Sequence, residues 1–262
     1  MAKICPIFSG STGNSTYIAT EKTKILVDAG ASCKALTLEL SKIGADVREL
    51  SAIAVTHEHI DHIKGLKTLL KNSGADLIAS EETIATLESL DKIPSTTKVV
   101  PLYDKALAVG DIAVNRFATS HDCPGSSGYN FILPDSKKIS VCTDLGVITD
   151  EVSLALRGSY IILLESNHDV DMLKKGPYPP HLKVRILGDK GHISNNICAN
   201  ELKKLYKNGT ERFILGHLSQ NNNTPILARS AAESALMDLS AVYNKDYILK
   251  IAAKSGNGVT VI

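Results

Sequence analysis

The 262-residue sequence predicts an α/β sandwich, two β-sheets with helices packed over them. Three observations lead there. Short β-like runs alternate with helical patterns from one end to the other, as in layered α/β folds. No short-period repeat, low-complexity segment or linker interrupts them. With 44 % hydrophobic and 22 % charged residues the chain can bury a full core, and residues 1–262 are expected to form a single domain.

In chain order, residues 3–8, 16–20 and 24–28 read as strands, the first pair separated by the turn Ser9-Gly10-Ser11-Thr12-Gly13-Asn14. That turn lacks the Gly-Lys-Ser/Thr ending of a phosphate-binding loop. Apolar residues every three or four positions predict a helix over 32–43, and the apolar run 50–55 reads as a buried strand. Helices are expected at 62–71 and 81–90, then strands at 99–102, 106–109, 112–117, 129–133 and 138–143. The remainder alternates: helix 150–156, strand 160–165, helix 194–207, strand 212–215, helix 224–243 and strand 247–252.

Composition excludes several classes. No apolar stretch reaches the length of a membrane span, and Met1-Ala2-Lys3-Ile4-Cys5-Pro6 lacks the apolar region of a signal peptide, so the expected compartment is the cytosol. Five cysteines without paired spacing fit reduced thiols, and Cys123 and Cys142 are expected to be small buried hydrophobes. A net charge of +1 means that any phosphate-binding face must be local.

Directly after the run 50–55 come Thr56-His57-Glu58-His59-Ile60-Asp61-His62, three imidazoles and two carboxylates within six residues. Imidazole and carboxylate are donors that borderline divalent cations prefer. In an extended loop His57 and His59 project to one side, while Asp61 and His62 turn toward a neighbouring ion. Surface histidines are often merely solvated, but other polar residues end strands in the same way: His121, Asp144 and His217. His57, His59 and His121 then complete one site and Asp61, His62 and His217 the other, with Asp144 bridging them.

These residues, with Leu26-Val27-Asp28-Ala29-Gly30, Thr143-Asp144 and the segments 9–14, 164–169, 191–196 and 215–220, resemble a metallo-β-lactamase-fold hydrolase, most closely its YycJ/WalJ-like branch. The signatures span nearly the whole chain. The resemblance implies an αββα sandwich of two mixed sheets with a dinuclear metal site. It also implies phosphodiester hydrolysis, for this branch by a nuclease or 5′-to-3′ exonuclease acting on DNA. Asp28 resembles the carboxylate that orients the ligand loop, and Glu165 and His192 resemble a pair beside the metals, with His192 able to protonate the leaving alkoxide. Water shared by two cations, oriented by Asp61 and deprotonated by it to hydroxide, is the expected nucleophile.

The metals are zinc, manganese or iron, since these donors do not choose among them. Nucleic acid, DNA above RNA, is the expected partner; His168, His181, Lys183 and Arg185 are candidate phosphate contacts, and Lys203, Lys204 and Lys207 form a basic helix face. Only 5 % aromatic residues leave few platforms for base stacking. The alternative is a hydrolase of a small ester, thioester or lactone, served by the same kind of metal loop.

Overall fold

Alternation of inward and outward side chains divides the apolar residues of each strand between two cores. In β3 (Lys24–Val27), Ile25 and Val27 face the second sheet while Leu26 faces helices. In β11 (Ile161–Glu165), Ile161 and Leu163 face the first sheet while Ile162 and Leu164 face helices. Apart from Lys24 and Glu165 at their ends, both strands are apolar, as strands covered on both faces must be. The structure, a computed structural model, describes residues 1–103 and 105–262.

One sheet joins β1 (Lys3–Phe8), β2 (Ser15–Ala19), β3, β4 (Ala52–Ala54), β5 (Asp76–Ala79) and β6 (Val99–Pro101), with β14 (Thr260–Val261) beside β1. The other runs from β7 (Leu107–Val109) through β8 (Ile112–Ala118), β9 (Ser127–Ile132), β10 (Lys138–Cys142), β11 and β12 (Arg212–Gly216) to β13 (Ile248–Ile251). Each is mixed: β3 to β6 and β10 to β13 pair parallel, the rest antiparallel. Helices α1 (Cys33–Lys42), α3 (Leu66–Ser73) and α4 (Glu81–Ser89) cover the first sheet. Helices α5 (Asp150–Leu156), α8 (Asn195–Lys207) and α9 (Pro225–Met237) cover the second, completing the expected αββα layers. Among the described residues, no helix is long and apolar enough to cross a membrane.

Two expectations need correction. The helix expected over 62–71 is two, α2 (Ile60–Ile63) and α3, separated at Gly65, where a Cβ would lie 2.3 Å from the Ala31 carbonyl. The last helix ends at Met237, and the chain turns through Ser240 at φ 59°. Beyond expectation, α6 (Val170–Lys175) and α7 (Pro180–Leu187) lie between Glu165 and His192, and β5 and β14 join the sheet.

Candidate metal centre

Parallel register decides which strand ends are neighbours. Cys142 pairs with Leu164 and Glu165 with Gly216, so Asp144, Glu165 and His217 leave adjacent strands at one edge. In the facing sheet Val27 pairs with Ala54, and Asp28 N–H donates to the Ala54 carbonyl at 2.8 Å, beside the histidine-rich loop. Asp28, Asp144 and His217 adopt left-handed backbone, with φ of 63°, 61° and 54°. That conformation costs roughly 1–2 kcal/mol for a residue with a Cβ, so the packing around these turns imposes it. Gly30 is obligatory, because a Cβ there would lie 1.7 Å from the Asp61 carbonyl.

The extended alternation ends at His59, which caps α2, so Asp61 and His62 enter from a first helical turn rather than from the extended loop expected. The nitrogens still converge. His59 Nδ1 lies 3.1 Å from His57 Nε2 and 3.3 Å from His121 Nε2. Donors bound tetrahedrally at zinc–nitrogen distances stand about 3.3 Å apart. A second group forms around His62 Nε2, 3.3 Å from Asp144 Oδ2 and 3.6 Å from Asp61 Oδ2, which is 3.8 Å from His217 Nε2. Asp144 Oδ1 is 4.0 Å from His121 Nε2, so this carboxylate stands between the groups, as a bridging role demands.

The outer nitrogens argue that these rings are built to hold a cation. His62 Nδ1 meets Asp28 Oδ2 at 2.8 Å, His217 Nδ1 meets Glu165 Oε1 at 2.6 Å, and His121 Nδ1 meets the Gly191 carbonyl at 3.1 Å. The Thr56 hydroxyl donates to Asp28 Oδ2 at 2.9 Å and stands 3.0 Å from His57 Nδ1. Such acceptors fix the tautomer that leaves the inner nitrogen free for metal. Asp144 Oδ2 and His217 Nε2 are buried there without a hydrogen-bond partner among the described residues. A divalent cation would satisfy both, and the donor set suits one.

In this centre neighbouring charges override burial. Burial opposes protonation of His62 and His217, yet Asp144 with Asp28 raises the first well above the imidazole range, and Asp144, Asp61 and Glu165 raise the second to about 10. Burial likewise opposes ionisation of Asp144, but His217 and His62 hold it well below the carboxylate range. A cation must displace those imidazolium protons before it can be ligated. Zinc uptake at pH 7 is therefore expected to release protons and to weaken as pH falls. Calorimetric titration in buffers of different ionisation enthalpy measures this, and uptake without proton release would exclude these imidazoles as the ligands.

Fully buried Glu165 serves two rings. Its Oε1 accepts from His192 Nδ1 at 2.9 Å as well as from His217, while Oε2 accepts backbone N–H groups of Leu145 and Ile193 at 3.3 and 3.2 Å. His192 opens onto a cleft of about 230 Å³ whose lining includes His59, Asp61, Asp144, His217, Tyr178 and Arg185. Of the other candidate phosphate contacts, Lys183 donates its Nζ to the Lys174 carbonyl at 2.7 Å, and exposed His181 stands outside the lining. His168 also lies outside the lining; it is buried, and burial lowers its pKa to about 4.

Four contributors went unassigned in the sequence. Besides Thr56, Asn14 Nδ2 reaches Asp61 Oδ2 at 3.2 Å and His62 Nε2 at 3.0 Å. Asp122 Oδ1 stands 3.4 Å from His59 Nε2. Cys123, expected as a buried hydrophobe, is only half-buried, with its sulfur within 4.8 Å of ligand atoms of His57, His59 and His121 and its thiol pushed up by burial. The Ser-Gly turn and the position beside His121 were the available signals, but neither specifies a partner.

Residues 23–218 match the model of the beta-lactamase superfamily domain. Over 223 residues the chain is 40 % identical to exodeoxyribonuclease WalJ of Streptococcus pneumoniae serotype 2, covering 84 % of this chain and 82 % of that one. To exodeoxyribonuclease YycJ of Bacillus anthracis it is 38 % identical over 229 residues, 87 % and 86 % of the two chains. The metallo-β-lactamase fold protein YhfI of Bacillus subtilis superposes over 100 % of both chains with a TM-score of 0.75 and 17 % identity, a likeness of fold alone. Layer order, sheet pairing and a sequence match across most of the length agree: the chain belongs to the β-lactamase superfamily, in its metallo-β-lactamase fold.

Proposed function

We propose that this protein is a metal-dependent phosphodiesterase, a DNA 5′-to-3′ exonuclease. The observation that carries the reading is the cleft where Asp61, Asp144 and His217 lie beside a His192 held from behind by Glu165. Kinship with chains named exodeoxyribonucleases supports DNA as substrate. We take residues 1–262 as one domain, since Val261 pairs with Lys3 and joins the two ends in one sheet.

Two divalent cations, zinc, manganese or iron, would be held by His57, His59 and His121 and by Asp61, His62 and His217, with Asp144 between. When bound, such cations acidify water and neutralise phosphodiester oxygens. Asp61, steadied by Asn14, orients the attacking water and accepts its proton as the new oxygen–phosphorus bond forms. His192 gives a proton to the alkoxide oxygen whose bond to phosphorus breaks, and Glu165 keeps its ring in place.

Digestion of DNA and RNA, single- and double-stranded and labelled at either end, with each metal in turn, tests this. Mononucleotides released successively from the 5′ end of DNA are the expected product. Inert DNA together with rapid turnover of a thioester or lactone would overturn the reading in favour of small-ester hydrolysis.

A further inference from the structure

The loop carrying His121 and helix α7 meet at one ion pair. Asp122 Oδ2 receives both Nε and Nη2 of Arg185 at 2.7 Å. Its other oxygen, Oδ1, lies 3.4 Å from His59 Nε2 and 3.4 Å from His121 Nε2. One carboxylate thus spans from the guanidinium lining the cleft to two imidazoles of the first donor group.

To the two N–H groups of a guanidinium, an Asp122 carboxylate oxygen and a phosphodiester oxygen offer the same thing, one anionic acceptor that both can share. The Asp122–Arg185 pair is open to water, with side chains 31 % and 49 % exposed, and such pairs exchange readily. Arg185 has no other hydrogen-bond acceptor among the described residues. Ile186 alone of the residues in α7 is buried, so the helix carrying Arg185 is held lightly.

We propose that Asp122 holds the place of a substrate phosphate: Arg185 is an anion subsite beside the donor groups, and a nucleic-acid phosphate next to the scissile one displaces Asp122 from it. This rests on the nuclease reading above. Freed of Arg185, the carboxylate keeps only His59 and His121 as partners, so the same exchange that seats the strand leaves Asp122 to steady an imidazole.

The test is anisotropy of a labelled, cleavage-resistant phosphorothioate oligonucleotide with the metal-loaded full chain over a salt series. Arg185→Ala is expected to weaken binding about tenfold and to lower the slope of log affinity against log salt by about one. Arg185→Lys, which keeps charge but loses the fork, should recover the slope and only part of the affinity. Asp122→Asn should tighten binding about threefold, and that gain should vanish in the Arg185→Ala background, because the competitor no longer has a seat to vacate. Equal tightening in both backgrounds, or an Arg185→Ala chain that binds like wild type, overturns the subsite. A wild-type chain that binds no oligonucleotide at any salt sinks the subsite and the nuclease reading together.

Discussion

Asp61→Ala is expected to lower kcat for phosphodiesters by about 10³-fold or more, since it removes a metal donor and the proton acceptor together. The fold should survive. The side chain is 21 % exposed at the cleft, and the contact that seats the neighbouring loop, Asn14 N–H to the Asp61 carbonyl at 2.7 Å, uses backbone alone. His59→Ala is expected to behave alike for the first donor group. Turnover of bis(p-nitrophenyl) phosphate, with metal content and melting temperature measured on the same sample, checks both. A metal-loaded variant at near wild-type rate would refute the assignment.

Glu165→Gln should damage two functions at once. One oxygen receives His217 Nδ1 and His192 Nδ1, so losing the carboxylate loosens a proposed ligand and a proposed acid. Metal affinity is expected to fall about ten- to a hundredfold, and turnover at saturating metal by about 10²-fold more. Glu165→Ala, which leaves these buried imidazoles without their carboxylate, is expected to cost about 3–5 kcal/mol of stability. Burial works against the charge on Glu165, yet His192 and His217 hold its pKa at about 2, below the ordinary 4.5. A depressed carboxylate stabilises the fold above its unfolded pKa and stops doing so as pH falls through the folded value. Wild-type melting temperature without metal should therefore drop between about pH 4.5 and 2, and that drop should shrink in Glu165→Gln. An unchanged acid profile would show that Glu165 carries no such load.

Strand periodicity exposed most of the layers, because apolar runs such as those of β11 and β12 have few other ways to be buried. The hidden pieces were short. Only four residues make β5, between two helices, and two make β14, where a neighbouring strand rather than intrinsic preference decides the conformation. In α7, Pro180 at the first position starts the helix.

At the centre, histidines and aspartates ending apolar runs were legible because their chemistry is distinctive. Thr56, Asn14 and Asp122 were not, since a hydroxyl, an amide or a surface carboxylate acquires meaning only from the atom it faces. Lys183 shows the converse: its charge near the expected site suggested phosphate, but the amine closes on the Lys174 carbonyl.

The backbone turns at Asp28, Asp144 and His217 impose a double sieve on substitution. Asparagine, aspartate and histidine tolerate positive φ better than other side chains with a Cβ, and two of those three are also strong donors to a divalent cation. Glycine would relax the turn but leave no donor, whereas glutamate or cysteine would supply a donor that resists the turn. Chemistry and conformation thus draw on the same small alphabet at these corners, and a lineage drifting away from metal use would still find few replacements that let its strands end where they do.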